Sequence, residues 1–261
     1  MDLPSLVLTL LAATLPLRPR IELHCSIRDA ATLASLVAVV GPALNTVTLR
    51  YYSDRVVDGQ GRAISDLLLQ RCPRLRHMDI SVQSYSENEA VELNDLLAVV
   101  VHPHVHDLSL NLQSVTTAPR LGHRLAAWLL TAPAAKLRLA NVAQMDHDAV
   151  IALCDALQAN TTLQELTIDN VRGLNGFHGH TLPLSLKSLA WNVPFFRFVD
   201  AATLTDFATA VGPTQLERLE CSVFGQLATY PAAAPMLSQL QSHVVSGSNA
   251  GSIPAMIAGL S

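Results

Sequence analysis

The chain has few aromatic residues, 5% of its 261, and few charged ones, 15%. A core resting on stacked rings is therefore not expected. Half of the residues are apolar, so Leu, Val and Ala must supply the packing. No run of basic residues occurs, and 17 Lys and Arg stand against 21 Asp and Glu for a net charge of −4. Nucleic-acid binding needs clustered cations to displace counterions from phosphates, so no nucleic-acid partner is expected. A polybasic membrane surface is excluded for the same reason, and no membrane partner is expected. The four cysteines, Cys25, Cys72, Cys154 and Cys221, form no CxxC pair. They read as reduced thiols of a cytoplasmic or nuclear protein, not as a disulfide framework. The apolar start, MDLPSLVLTLLAATLPL, is too short to span a bilayer. It also lacks the positive residues of a secretory signal, since Asp2 is its only charge before Arg18.

Catalytic signatures are missing too. There is no P-loop, no H-E-x-x-H and no G-x-S-x-G. His178 and His180 share a glycine-bearing loop without a third ligand, so no metal is expected there. Asp146-His147-Asp148 stands where a helix begins, which points to capping. Asn160-Thr161-Thr162 matches a glycosylation sequon, which matters only in a secreted chain. The expectation is a non-enzymatic protein with no cofactor, and an enzyme or metal-binding protein is the less favoured alternative.

What the sequence does have is a repeat. The pattern L-x-x-L-x-L recurs as Leu44-Val47-Leu49, Leu75-Met78-Ile80, Val105-Leu108-Leu110 and Ala134-Leu137-Leu139. It continues as Leu163-Leu166-Ile168, Leu186-Leu189-Trp191 and Leu216-Leu219-Cys221, with partial copies at Ile21-Leu23 and Leu237-Leu240. First positions from Leu44 to Leu237 are spaced 31, 30, 29, 29, 23, 30 and 21 residues. The long units carry a helical stripe after the strand, as in Val150, Leu153, Cys154 and Leu157. The short units 163–185 and 216–236 carry FHGHTLP and ATYPAAAP, which leave no room for a full helix. One strand per unit alternating with helices predicts parallel strands joined by right-handed crossovers. Stacked neighbours would then bury a continuous core.

Residues 145–173, MDHDAVIALCDALQANTTLQELTIDNVRG, resemble a leucine-rich repeat of the ribonuclease-inhibitor type. The resemblance rests on Ala152-Leu153, Ala156-Leu157, Asn160 and Leu163-x-x-Leu166-x-Ile168, and extends over about residues 18–242. It implies an α/β fold, a right-handed βα solenoid or horseshoe with a parallel concave sheet, about eight units long. The concave face would bind another protein. One departure is that the polar position after the third apolar residue holds Val82, Leu112, Asn141, Asn170, Val193 and Val223, so a polar ladder is mostly missing.

Residues lying between the apolar positions would form that face. They run Arg20, Glu22, His24; Thr46, Thr48, Arg50; His77, Asp79, Ser81; Asp107, Ser109, Asn111. They continue Lys136, Arg138, Ala140; Glu165, Thr167, Asp169; Ser188, Ala190, Asn192; Arg218, Glu220, Ser222. Five are basic and six acidic, a mosaic suited to a protein partner of mixed charge. Arg50, Arg138 and Arg218 are the anchor candidates, with Tyr51 and Tyr52 beside the first.

Two stretches stand apart. LPSLVLTLLAATLP, within residues 1–17, is either an apolar capping helix or a partial F-box, because it resembles the first helix of that domain. The second reading implies a Skp1-type adaptor as partner and a substrate-recognition role in a ubiquitin ligase. Residues 243–261 read as a C-terminal tail or cap. The other stretch is HPHVH, where His102, His104 and His106 alternate along the chain. Pro103 sits two residues before the unit's first apolar position, as do Pro42 and Pro73 in theirs. The proline ends a helix near His102, so the three rings need not share a face. The places matching His106 hold Asn45, Arg76, Gln164, Lys187 and Glu217, an exposed and unconstrained set. His77 and Asp107 occupy the same place in successive units and should lie side by side as a pH-sensitive pair.

Overall fold

The computed structural model describes residues 21–27, 30–52, 59–83, 90–113, 118–142, 145–174, 176–192 and 199–244. The segment 1–17, Arg20 and most of 243–261 lie outside these, so neither reading of the N-terminal stretch is addressed.

The recurring apolar motif becomes a strand each time. The strands are β1 (Ile21–Ile27), β2 (Leu44–Tyr52), β3 (His77–Gln83), β4 (Asp107–Gln113) and β5 (Lys136–Ala140). β6 (Glu165–Asp169), β7 (Ser188–Asn192), β8 (Arg218–Cys221) and β9 (Ser242–Val244) follow. They form one nine-stranded sheet in which chain order is sheet order. Every pairing is parallel. The fold is thus α/β with a single parallel sheet.

The long connections carry helices: α1 (Ala30–Val40), α2 (Gln60–Arg71), α3 (Ala90–Leu96), α4 (Leu121–Thr131), α5 (His147–Ala159) and α6 (Ala201–Val211). Their apolar stripes join the inward strand residues in one core. Leu121, Leu125, Trp128 and Leu129 are all buried, and so are Val150, Leu153, Cys154 and Leu157. Each such side chain contributes about 1.5–3 kcal/mol on burial. The Trp128 indole donates to the Val105 carbonyl at 3.0 Å, so its polar edge is satisfied inside. Successive helices approach closely because small residues begin them. A Cβ on Gly122 of α4 would stand 2.2 Å from the Ala149 carbonyl oxygen of α5. No described helix is long and apolar enough to cross a membrane.

The short units behave as their sequence requires. No described helix separates β6 from β7, and only α7 (Phe224–Leu227), a 3₁₀ turn and α8 (Ala234–Leu237) separate β8 from β9. Three rings pack beside this connection. Trp191 stacks on Phe207 with ring centroids 4.1 Å apart, and the Phe177 and Phe207 centroids are 6.2 Å apart. Phe177 belongs to the helix-less connection itself.

The two ends need correction. Leu219 pairs with His243, so the final unit starts at Leu240, not Leu237, and its spacing from Leu216 is 24 residues (243 − 219). At the other end Glu22, His24 and Ser26 align with Thr46, Thr48 and Arg50, which shifts the first unit by two places. On β1 the unbroken alternation of Ile21, Leu23, Cys25 and Ile27 fits either register, and at β9 the place of an apolar residue is taken by His243.

Candidate binding face

Alternation along the strands separates two faces. On β3, Met78, Ile80 and Val82 are buried, while His77 and Asp79 are exposed and Ser81 half-buried. The register then sets these residues in rows. The first row runs Thr46, His77, Asp107, Lys136, Glu165, Ser188 and Arg218 from β2 to β8. The second runs Thr48, Asp79, Ser109, Arg138, Thr167, Ala190 and Glu220.

Neighbours in the first row pair across strands. His77 Nδ1 lies 2.8 Å from Asp107 Oδ2, the predicted juxtaposition. Lys136 Nζ lies 2.7 Å from Glu165 Oε1. The Glu165 hydrogen bond raises the Lys136 pKa; burial opposes it, and the Glu165 and Asp107 charges add to the rise. On β8, Arg218 and Glu220 approach to 3.9 Å. A groove of about 440 Å³ lies over these rows, lined by His77, Asp79, Asp107, Lys136, Arg138 and Glu165 among others. The structure therefore gathers half of the sequence candidates at one place. Arg50, Asn111, Asp169, Asn192, Arg218 and Glu220 lie on the same strands outside the groove lining.

Several expectations fail for identifiable reasons. Tyr51 is buried at 2% exposure and cannot anchor a partner, because it follows the alternation of β2 inward. The side chain of Tyr52 lies outside the described residues. Ala140 is also buried, since β5 ends there and the chain turns over it. The ladder position holds asparagine in two units only, and Asn111, one place earlier in its unit, extends the chain of amides to a third. Asn141 Nδ2 donates to Asn111 Oδ1 at 3.0 Å, and Asn170 Nδ2 donates to Asn141 Oδ1 at 2.9 Å. Asn141 and Asn170 adopt φ of 51° and 53°, a left-handed turn that asparagine tolerates well. Asn111 is thus engaged in holding turns together.

The row at His106 is not unconstrained either. His106 Nε2 accepts from the Arg76 guanidinium at 2.8 Å, and Lys187 meets Glu217 at 3.3 Å. Partial burial and then the Arg76 charge lower the His106 pKa. His102 departs furthest from expectation, being 1% exposed. Its Nδ1 accepts from the His104 amide at 3.3 Å, and Nε2 has no partner of ordinary geometry. Burial, then the His104 charge, push its pKa down to about 4, against a weaker pull from the Cys72 backbone. The His102 and His104 rings meet edge to face at 5.9 Å, but His106 is engaged by Arg76, and no three of these groups form a metal site among the described residues.

The remaining candidates are structural. Asp146 stands at the N-cap of α5, but its side chain accepts no helix amide. Asp200 does cap, accepting from the Thr203 amide at 2.7 Å. Two helix carboxylates serve the preceding unit, a role the sequence reading missed. Glu92 accepts from the Gly59 and Gly61 amides at 2.6 and 2.8 Å, where α2 begins without a cap of its own. Asp206 accepts from the Phe177, His178 and Gly179 amides. His180 is bound to Asp155 at 2.8 Å, and His178 Nε2 to the Gly173 carbonyl at 3.1 Å. Among the described residues no group of three His, Cys, Asp or Glu side chains could hold a metal. Asn160, in the sequon, is 6% exposed and bonded to the Leu129 carbonyl at 2.6 Å. Cys72, Cys154 and Cys221 are free and buried, and burial raises their pKa to about 11, 12 and 12. Such thiols are poor nucleophiles. The His77–Asp107 pair supplies a base and an orienting carboxylate, but no described hydroxyl or thiol is hydrogen-bonded to its other nitrogen.

No family model matches the chain, and no curated protein does.

Proposed function

We propose that this chain is a leucine-rich-repeat-like solenoid, and that it acts without catalysis by holding a partner protein on the open, concave side of its sheet. The observation that carries this reading is the groove over β3–β6. Each of these strands gives it two polar side chains, and Met78, Leu108 and Leu137 line it between them, on the face opposite the helix-packed core. Two features support the repeat architecture. Strand order equals chain order, and Asn160 joins its unit to the previous one through the Leu129 carbonyl. Paired charges on such a face favour specificity over raw affinity. Substrate recognition for a ubiquitin ligase would use the same face, with residues 1–17 docking a Skp1-type adaptor; no described residue favours it over plain scaffolding.

The test is retention of a co-purified protein by charge-reversed variants. Arg138→Glu and Arg50→Glu are expected to release it, while Arg62→Glu, on α2, retains it. Full retention by both open-face variants would refute the reading.

A further inference from the structure

The groove contains more charge than its ion pairs account for. In the first row His77 is bonded to Asp107, and Lys136 to Glu165. In the second row, among the described residues, Asp79 and Arg138 make no ion pair or hydrogen bond with each other or with any neighbour. Both are exposed. The register places Ser109 between them, with Thr48 and Thr167 on the outer sides. Asp79 and Arg138 are therefore two strand spacings apart, about 10 Å at the backbone. The second row thus presents a hydroxyl between an unspent negative charge and an unspent positive charge, with Met78, Leu108 and Leu137 also lining the groove.

We propose that the groove selects a protein segment bearing one cationic and one anionic side chain about 10 Å apart, the cation on Asp79 and the anion on Arg138. This deepens the reading of the open face as the binding surface and rests on it. The spacing decides the class of occupant. A free amino acid holds both its charges on a single carbon and cannot reach both ends. A helix presents residues i and i+7 on one face about 10.5 Å apart, which matches. The already paired side chains flank this slot and gain little from a new partner. Asp79 and Arg138 are the groups whose charge an occupant can satisfy without breaking an existing bond. Complementary charge at both ends also fixes which way the segment lies.

The probe is a set of Ala/Gln helical peptides carrying Glu and Lys at i, i+7, or Glu at both places, or Lys at both. Binding is read from amide chemical shifts of the full chain. The mixed-charge peptide is expected to bind roughly fivefold more tightly than either like-charge peptide, from two exposed pairs. Its shifts should centre on Asp79, Ser109 and Arg138. Asp79→Arg should turn the preference to the Glu/Glu peptide, and Arg138→Asp to the Lys/Lys peptide. The double exchange D79R/R138D should restore preference for the mixed peptide, docked in the opposite direction. Equal affinities with shifts confined to the groove overturn the charge assignment and leave the open face as the binding surface. Shifts centred on the helices, or none, overturn both.

Discussion

The two faces of the sheet are made by the same strands, yet they hold neighbouring units together in different ways. The buried face is held by apolar packing and a few enclosed polar groups, within a unit as in Trp128 on Val105 and His102 beneath His104, and between units as in Asn160 on Leu129. On the open face the units join through solvent-facing pairs such as Lys136–Glu165. Enclosed contacts lose packing and leave orphaned polar groups when cut. Exposed pairs lose only a screened attraction. Stability should therefore reside on one face and recognition on the other.

The largest break in that comparison is Trp128→Ala. It empties the space between β4 and α4 and leaves the Val105 carbonyl without its donor. A loss of about 3–5 kcal/mol in denaturant unfolding is expected.

His102 comes next and gives the buried face a pH dependence. Its folded pKa of about 4 lies below the unfolded value of 6.5. Above pH 6.5 the ring is neutral in both states and the full contribution is present. As pH falls from 6.5 to about 4, the unfolded chain takes up the proton first and stability is lost. The whole difference is of order 3 kcal/mol. His102→Asn keeps an acceptor for the His104 amide without a titrating group. Its unfolding free energy should change less between pH 7 and 4 than that of the parent, and parallel curves would show that His102 does not titrate this way.

His102 also marks where the sequence was legible and where it was not. It stands three residues before Val105, as Asn160 stands three before Leu163. Asn160 binds two following amides through Oδ1 and the previous unit through Nδ2. His102 fills the same structural place with an imidazole, its Nδ1 accepting from the His104 amide as Asn160 Oδ1 accepts from the Thr162 amide. The strands, the helices of the long units, the missing helix after β6 and the His77–Asp107 pair all follow from periodicity. Periodicity tracks burial, and burial dominates those regions. Tyr51 was misplaced because its aromatic character was weighed above its place in the alternation of β2. The link from Asn141 back to Asn111 is not legible because it steps between different positions of successive units. Caps from Glu92 and Asp206 involve residues about 30 apart, which no local pattern reports.

The smallest expected effect sharpens the comparison from the other side. Lys136→Ala and Glu165→Ala should each shift stability by less than about 1 kcal/mol, since both side chains are half exposed and screened. Thermal unfolding of the two variants and the double variant would measure this. A coupling as large as that of a buried pair would place a structural role on the open face and blur the division.

The division of labour is tested most directly by site-specific photocrosslinking in cells. A benzophenone amino acid at Ser109, on the groove floor, is compared with one at Ala127, on the exposed side of α4. The account predicts a discrete covalent adduct with another protein from position 109 and none from position 127. Adducts from 127 alone would contradict it.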